Sequence, residues 1–545
     1  MILEFLLIPC LFISFAGWGI WAKIIIGSKI DSFSLTILLG LSFFGILSCL
    51  LSFFIPLNLY VELVLLIISL IPFFVKTFRE YLVVFPKELL KSVWFWLFCL
   101  IIILAGSYYP FRPDHFTYYE PTINILNTHG LITGIANIDW SLGQMSIFHI
   151  IQAGLDQILD TFKRLDIFIT ILFLIYMFER KAYLLLFVIP FYFLFIQTVS
   201  PDVAIVFLSL IVVNELCFNH KVSNYKILLF VSVFIFTIKP VAFWLPLWVF
   251  IAGFFLNKKE LKNYRIYLIP AFIVVLFLIK NFITSSTLLY PVSLIKLNTY
   301  WLPDLQILEL SNQKAALYTF KRYFTLDEIN SMTFFYKIYY WLSINKLQTI
   351  INCFIILTII AFGVFSIVKK NFIYLSLGII IIIKTFVIFN FSGQFRFMLD
   401  GIYPLLFLMF SAIPIGKTKI YTAGLLYFLI FLAFISYPPI LKRNIPDFKL
   451  TQWMKGFTKK SLLIPESVVE NKYTEGKFGN LKFYISNNSY NYNTPHPAFR
   501  YKELKLYYDL GIFPQMKDSA NIRKGYYVKK LSSDEKEKLL NYLIH

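Results

Sequence analysis

Residues 92–121, SVWFWLFCLIIILAGSYYPFRPDHFTYYEP, join an apolar run to a segment rich in aromatic and ionisable side chains. An α-helix rises about 1.5 Å per residue, so roughly 20 apolar residues cross a bilayer core ~30 Å thick. Such runs recur along the 545-residue chain, which is 59% hydrophobic and only 15% charged. The composition excludes a soluble protein. It predicts an all-α polytopic membrane protein with about 11–14 transmembrane helices.

The apolar runs alternate with short loops that carry lysine and arginine. We place the spans near 3–27, 32–54, 58–76, 92–107, 165–178, 182–199, 202–218, 226–238, 241–256, 266–282, 348–368, 371–390, 397–414 and 420–437. Every second loop is basic, with Lys23, Lys29, Lys76, Arg79, Lys87, Lys91, Arg180, Lys181, Lys221, Lys226, Lys258, Lys259, Lys262, Arg265, Lys369, Lys370, Lys417 and Lys419. Lysine and arginine in these loops serve membrane orientation, so the net charge of +20 does not require nucleic-acid binding. By the positive-inside rule they face the cytoplasm, and both termini lie outside.

The alternation divides the chain into segments. We predict N-terminal transmembrane helices in 1–106, an extracytoplasmic catalytic loop in 107–164, a transmembrane core in 165–282, a second extracytoplasmic loop in 283–346, C-terminal transmembrane helices in 347–438 and an extracytoplasmic soluble domain in 439–545. Helical spacing in DHFTYYEPTINIL (114–126) and MSIFHIIQAGLDQIL (145–159) predicts two amphipathic helices along the membrane surface. Alternation in LKFYISNN (481–488) predicts a small α+β fold for the tail.

Three acids at the outer ends of spans are candidates for chemistry. Asp114 follows a span and begins a predicted helix, where a carboxylate can act as a general base or bind a divalent ion. The alternative for Asp114 is helix capping. Asp202, in the SPD stretch at 200–202, is a candidate second acid, although capping alone would also explain that stretch. Glu120 is a weaker candidate because it lies off the face of Asp114.

Cations occupy the outer ends of three other spans. Lys239, Lys280 and Arg396 each follow or interrupt an apolar run. Each alone is explained by interfacial anchoring, but together they suit an anionic lipid phosphate, which arginine binds in bidentate fashion. Lys384 lies inside a span, where an unpaired charge is costly, and the sequence identifies no partner for it.

Several classes of site are not supported by motifs. The sequence lacks GxxxxGK[ST], GxGxxG, HExxH and GxSxG, and its five cysteines show no metal-binding or disulfide spacing. Energy for any reaction is therefore expected to arrive with the substrate. A lipid-linked activated sugar meets that requirement.

The order of these motifs resembles GT-C glycosyltransferases, and in particular bacterial GT-C-like membrane proteins. The likeness extends over about 107–400. It is carried by Asp114 with Tyr118 or Tyr119, NILNTHGLITGIANID at 124–139, Ser200–Pro201–Asp202, Lys280–Asn281 with Tyr290–Pro291, and Arg396–Phe397. It implies an inverting transferase on the extracytoplasmic face of the bacterial cytoplasmic membrane, with a polyprenyl-phosphate-linked sugar as donor and Asp114 as the base.

The remaining expectations concern the residues that bind the phosphate and the sugar, the acceptor, and a metal cofactor. We expect Lys239, Lys280 and Arg396 to bind the lipid phosphate, and the acceptor to be a glycan, lipid or protein. The residues expected to contact the sugar are His115, Tyr118, Tyr119, Trp140, Asn281 and Tyr290. For the tyrosines and Trp140, an interfacial aromatic belt is the alternative. His115 stands where lipid-A aminoarabinose transferases and protein O-mannosyltransferases have a second acid, which leaves open whether Mg²⁺ or Mn²⁺ is a cofactor.

Two other classes of function remain. An O-antigen or polysaccharide polymerase or ligase would depend on Arg396 and on arginines of the 283–346 loop, where Arg322 is the one available. A lipid or polysaccharide transporter or flippase would show inverted repeats and broken helices. Pro240 breaks one span, but no internal repeat is evident.

Overall fold

The computed structural model describes residues 1–28, 30–219, 225–256, 258–467 and 471–544. Helices make up 69% and strands 6% of the structure. Within the described ranges, seven helices are long and apolar enough to span a membrane. The protein is therefore an all-α membrane protein. Lys29 and Lys221, which were used above to assign orientation, lie outside the described residues.

The N-terminal helices pack closely. They are α1 (Ile2–Ile26), α2 (Phe33–Ser52), α3 (Leu59–Phe74), α4 (Lys87–Leu90) and α5 (Val93–Gly106). Ser32 begins α2 by accepting a hydrogen bond from the Leu35 amide at 3.2 Å. A Cβ on Gly40 of α2 would lie 1.8 Å from the Phe15 carbonyl oxygen of α1. The missing side chain thus allows the two backbones to approach, as is common between membrane helices.

The central part combines long helices with short, buried ones. Its helices are a π-helical turn at His115–Tyr119, α6 (Glu120–His129), α7 (Ile147–Ala153), α8 (Leu165–Glu179), 3₁₀ turns at Tyr183–Val188 and Pro190–Leu194, α9 (Pro201–Phe218), α10 (Tyr225–Ile238), α11 (Trp244–Leu256), α12 (Lys258–Leu261) and α13 (Arg265–Ser285). The predicted span at 182–199 is thus two 3₁₀ segments, and Pro190 begins the second.

The prediction that two amphipathic helices lie along the membrane surface is wrong. All seven residues of α7 are buried, and so are most of those in α6. The reason is tertiary packing: α7 lies against α2 and α6, and Ile151 of α7 contacts the Gly45 position of α2. The apolar faces of these helices therefore meet protein instead of lipid.

The third part begins with the hairpin β1 (Thr287–Leu289) and β2 (Val292–Lys296). It continues with α14 (Leu305–Thr319), α15 (Leu326–Ser331), α16 (Phe334–Ser343), α17 (Lys346–Val368), α18 (Phe372–Ser392), α19 (Leu399–Ser411) and α20 (Lys417–Ser436). Helices α17, α18 and α19 pack on one another, and α19 also packs on α9.

The C-terminal segment, which we call the tail domain (471–544), mixes strands and helices. It follows α21 (Pro438–Asn444) and α22 (Lys459–Leu463), and contains β3 (Tyr473–Phe478), β4 (Leu481–Ser486), β5 (Ala498–Arg500), α23 (Tyr501–Leu510), β6 (Ile512–Met516), β7 (Tyr526–Lys530) and α24 (Ser533–Ile544). Strands β3 and β4 pair antiparallel, β4 and β5 parallel, and β6 and β7 antiparallel. Phe483, Phe499 and Phe513 form its buried core.

The tail domain docks on the 107–164 segment through main-chain contacts. The Tyr526 amide donates to the Thr133 carbonyl at 3.0 Å, and the Tyr507 hydroxyl donates to the Asn137 carbonyl at 2.6 Å. Gly525 has a φ of 87°, and a Cβ there would lie 1.9 Å from the Thr133 carbonyl oxygen. Only glycine fits this approach.

One end of the helical bundle, which we call the polar end, gathers the long connecting segments. The Met1 amine donates to the Ser461 carbonyl at 2.9 Å, and the Glu466 amide donates to the Ser107 carbonyl at 3.0 Å. Arg523 of the tail domain donates to the Phe53 carbonyl, just beyond α2, at 2.5 Å. The N-terminus and the tail domain therefore lie at the same end of the bundle.

Candidate functional site

Asp114 forms an ion pair with an arginine distant in sequence. Its Oδ2 accepts a hydrogen bond from Nη1 of Arg396 at 3.1 Å, and the Asp114 side chain makes no helix-capping bond. The side chains are 32% and 28% exposed, respectively, so the pair is partly accessible to solvent. Arg396 lies in a 3₁₀ turn, Phe395–Phe397, between α18 and α19. Helix capping, the alternative role for Asp114, is therefore not what its side chain does in the structure.

A second ion pair lies beside the first. Lys239, in the break between α10 and Pro240, donates to Asp202 in the first turn of α9. The Lys239 nitrogen lies 4.5 Å from the centre of the Phe397 ring, and the Arg396 guanidinium lies 4.8 Å from the same ring. Both cations thus lie close to the Phe397 ring, which brings the two ion pairs into one site.

The charges around Arg396 stabilise its guanidinium. Burial by itself lowers the pKa of Arg396, but the carboxylates of Asp114 and Asp202 outweigh that effect and raise the pKa above its ordinary value. Asp114 therefore faces a permanent cation.

Arg112 is a member of the site that the sequence interpretation missed. It is 8% exposed, and its guanidinium lies 3.9 Å from the centre of the Phe195 ring. Among the described residues no carboxylate forms a salt bridge with Arg112, and its Nε has no hydrogen-bond partner. The available signal was its place two residues before Asp114 in the quoted stretch.

Two aromatic residues of the π-helical turn, Tyr118 and Tyr119, lie beside Asp114. The ring centres of Tyr118 and Tyr119 are 4.6 Å apart, and Tyr119 lies 4.6 Å from the ring of His149 on α7. Burial raises the pKa of both tyrosine hydroxyls, and the charge of Asp114 adds to the rise. His149, which the sequence interpretation also missed, donates from Nε2 to the Val199 carbonyl at 3.2 Å.

Four of the unpartnered buried polar atoms lie at this site. They are Arg112 Nε, Arg396 Nε, Asp202 Oδ2 and His149 Nδ1. A buried polar group without a partner destabilises a fold by about 1–3 kcal/mol, so natural structures keep few of them. The unpartnered Nε donors of Arg112 and Arg396 favour an anionic ligand at this site.

Several predicted site residues lie elsewhere. Lys280 is 2% exposed and donates to the Met145 carbonyl at 2.6 Å, so it does not join Arg396 and Lys239 as expected. Asn281 donates to the Leu288 carbonyl at 3.0 Å. The Tyr290 hydroxyl donates to the Trp140 carbonyl at 2.5 Å.

Two further residues of the 107–164 segment make contacts of their own. Glu120 lies 3.7 Å from Lys163, which is 3.6 Å from Asp156. His115 is 2% exposed, and burial holds its pKa well below 6.5. Glu120 thus belongs to a separate charge cluster, and His115 is a core residue.

Lys384 has a partner inside the membrane. It forms a buried ion pair with Asp400 of α19, whose other carboxylate oxygen accepts from the Trp244 indole at 2.7 Å. Asp400 therefore neutralises the charge of Lys384, and Lys384 has a structural role.

The residues of the site do not fit a divalent metal. Each of the two acids, Asp114 and Asp202, already faces a cationic side chain. Mg²⁺ and Mn²⁺ prefer several carboxylate, carbonyl and water oxygens. Within the described part of the chain, no group of three or more histidine, cysteine, aspartate or glutamate side chains is arranged to hold a metal ion.

Comparison with known proteins gives a family without a known function. No curated protein and no solved structure matches the chain. One family model, "Domain of unknown function (DUF8201)", matches residues 1–403. The matched region contains Asp114, Asp202, Lys239 and Arg396 and ends before the tail domain. The chain therefore belongs to the DUF8201 family.

Proposed function

We propose that the protein is a GT-C-like glycosyltransferase of the bacterial cytoplasmic membrane, acting at the extracytoplasmic face with a polyprenyl-phosphate-linked sugar as donor. The observation that carries the proposal is the partly exposed Asp114–Arg396 ion pair, with Lys239 beside it and with Arg112, which has no carboxylate partner among the described residues. A carboxylate beside several cations is what transfer of a glycosyl group from a lipid phosphate requires. Eleven to fourteen spans in a GT-C arrangement are part of this proposal.

Three cations would bind the donor phosphate. Arg112 and Arg396 have unpartnered Nε donors, and Lys239 lies close to the same Phe397 ring as Arg396. As the bond between the anomeric carbon and the phosphate oxygen breaks, the electron pair leaves with the phosphate. Fixed cations in a poorly hydrated site stabilise that growing charge more strongly than water does. Lys280, which donates to Met145, is not part of this set.

Asp114 would accept the proton of the acceptor hydroxyl. The hydroxyl oxygen attacks the anomeric carbon from the face opposite the phosphate, which inverts its configuration. Because Arg396 binds Asp114 in the free protein, a donor phosphate would compete for the guanidinium and release the carboxylate toward the acceptor. Donor binding would thereby prepare the base, and hydrolysis without a bound donor would be suppressed.

The proposed orientation draws on the segregation of polar segments. The N-terminus, the tail domain and the Asp114 site contact one another or lie at the polar end, and the basic loops of the sequence connect the opposite ends of the helices. The positive-inside rule then assigns the polar end to the extracytoplasmic side.

A second candidate is a polymerase or ligase that joins two lipid-linked glycans. The presence of two arginines, Arg112 and Arg396, in one site favours it, because that chemistry would depend on arginine. Arg322 does not obviously contribute, since it hydrogen-bonds Tyr318 at 2.7 Å. Asp114 distinguishes the two candidates: the transferase requires its carboxylate.

The test is transfer by the purified protein from a panel of polyprenyl-phosphate sugars, with released polyprenyl phosphate as the readout. Asp114→Asn is expected to abolish release while leaving folding intact, because the amide keeps the shape and loses the base. Asp509→Asn, at an exposed position of the tail domain, is the matched control and should keep full activity. Full turnover by Asp114→Asn would remove this residue from the mechanism.

A further inference from the structure

A cavity of about 470 Å³ lies between the tail domain and the helical bundle. Its walls come from both parts: Lys517 and Lys524 from the tail domain, and Phe53 and Ile283 from the ends of α2 and α13. It shares no residue with the Asp114 site. The proposed glycosyl transfer at the Asp114 site therefore assigns no role to this cavity.

The cavity is lined by cations and by no acidic side chain among the described residues. Among the described residues, Lys517 forms no ion pair, and its nitrogen lies 4.8 Å from the centre of the Tyr300 ring. Lys524 is 60% exposed and is paired with Asp518 at 2.8 Å. Arg523 is held by the Phe53 and Phe54 carbonyls. Lys517 is thus the cation most available to a ligand, and the cavity attracts anions.

The opposite wall is apolar. Phe53 and Leu131 lie beside the end of α2, and Ile283 lies in the last turn of α13, at the level where membrane helices end. A cationic wall next to an apolar wall at the end of membrane spans suits a molecule with an anionic head and a hydrocarbon chain.

We infer that this cavity binds the phosphate head group of an anionic phospholipid, with Lys517 and Lys524 on the phosphate and the apolar wall against the start of the acyl chains. The lipid would join the tail domain to the bundle. It would add to the direct hydrogen bonds at this junction, which include the one from the Tyr526 amide to the Thr133 carbonyl at 3.0 Å.

Native mass spectrometry of the detergent-purified full chain tests the inference. Dioctanoyl phosphatidylglycerol should bind saturably at one molecule per chain, and more tightly than dioctanoyl phosphatidylcholine. The Lys517→Ala/Lys524→Ala variant should bind phosphatidylglycerol at least tenfold more weakly. The control Lys505→Ala/Lys530→Ala removes the same charge at exposed positions outside the cavity and should change the Kd less than twofold. Equal Kd values for the two double variants would overturn the inference.

Two further arms separate other outcomes. Inorganic phosphate, if it bound as tightly as phosphatidylglycerol, would show that the acyl chains contribute nothing, and the lipid site would be rejected. Hydrogen exchange can be measured on the unaltered protein, so this arm does not depend on whether the variants fold. Phosphatidylglycerol should slow exchange at 517–530, and phosphatidylcholine should not. No difference between the lipids would contradict the inference, whatever the outcome of the glycosyl-transfer assay.

Discussion

Replacing Arg396 with alanine should separate activity from stability. The guanidinium touches Asp114 at 3.1 Å and lies 28% exposed, so the ion pair is partly screened by water. Ion pairs of this exposure contribute about 0.2–1 kcal/mol to folding. Loss of one preorganised charge at a developing anion reduces kcat by about 10²–10³, or roughly 3–4 kcal/mol. We therefore expect a large loss of turnover with a free energy of unfolding lowered by less than about 1 kcal/mol.

The assay is release of polyprenyl phosphate under saturating donor, accompanied by thermal unfolding in the same detergent. Arg322→Ala is the matched control, because Arg322 also stacks on an aromatic ring but lies outside the site. It should retain activity within about twofold, since nothing places it on the phosphate. If Arg396→Ala turned over normally, or if its activity fell only in proportion to folded protein, the role assigned to Arg396 would be wrong.

Three further predictions concern the fold. Lys384→Met leaves Asp400 charged and buried, so thermal unfolding should show a loss of about 3–5 kcal/mol, and an unchanged stability would refute the ion pair. Gly525→Ala should expose the tail domain to limited proteolysis, because its Cβ collides with Thr133; unaltered cleavage would contradict that contact. Burial lowers the pKa of His496 from 6.5 to about 3, so its contribution to folding is present above pH 6.5 and is lost as pH falls toward 3. Hydrogen-exchange protection factors in the tail domain, after correction for the intrinsic pH dependence of exchange, should therefore fall between pH 6.5 and pH 4.5, and should fall less in His496→Asn; an identical fall in both would exclude this histidine.

Sequence patterns predict the membrane class because apolar runs respond to one physical requirement, the burial of backbone in hydrocarbon. They do not predict helix rotation. Lys280 and Arg396 both stand at span ends, yet Arg396 meets Asp114 whereas Lys280 donates to Met145. Successive helix positions differ by about 100°, so the direction of a side chain depends on tertiary packing.

Long-range pairing explains the other differences. The partner of Lys384 is Asp400 on the following helix, a match that depends on how α18 and α19 pack. Helix α7 has the pattern of a surface helix, but α2 covers its apolar residues. Arg112 was overlooked because its significance comes from having no carboxylate partner in the described part of the chain, which only three-dimensional contacts reveal.

A structure of the protein with bound polyprenyl phosphate tests the central claim most directly. We predict that the phosphate oxygens lie within hydrogen-bond distance of Arg112, Lys239 and Arg396, and that the Asp114 carboxylate has separated from Arg396. A phosphate bound away from these three cations, with the Asp114–Arg396 pair intact, would contradict the account.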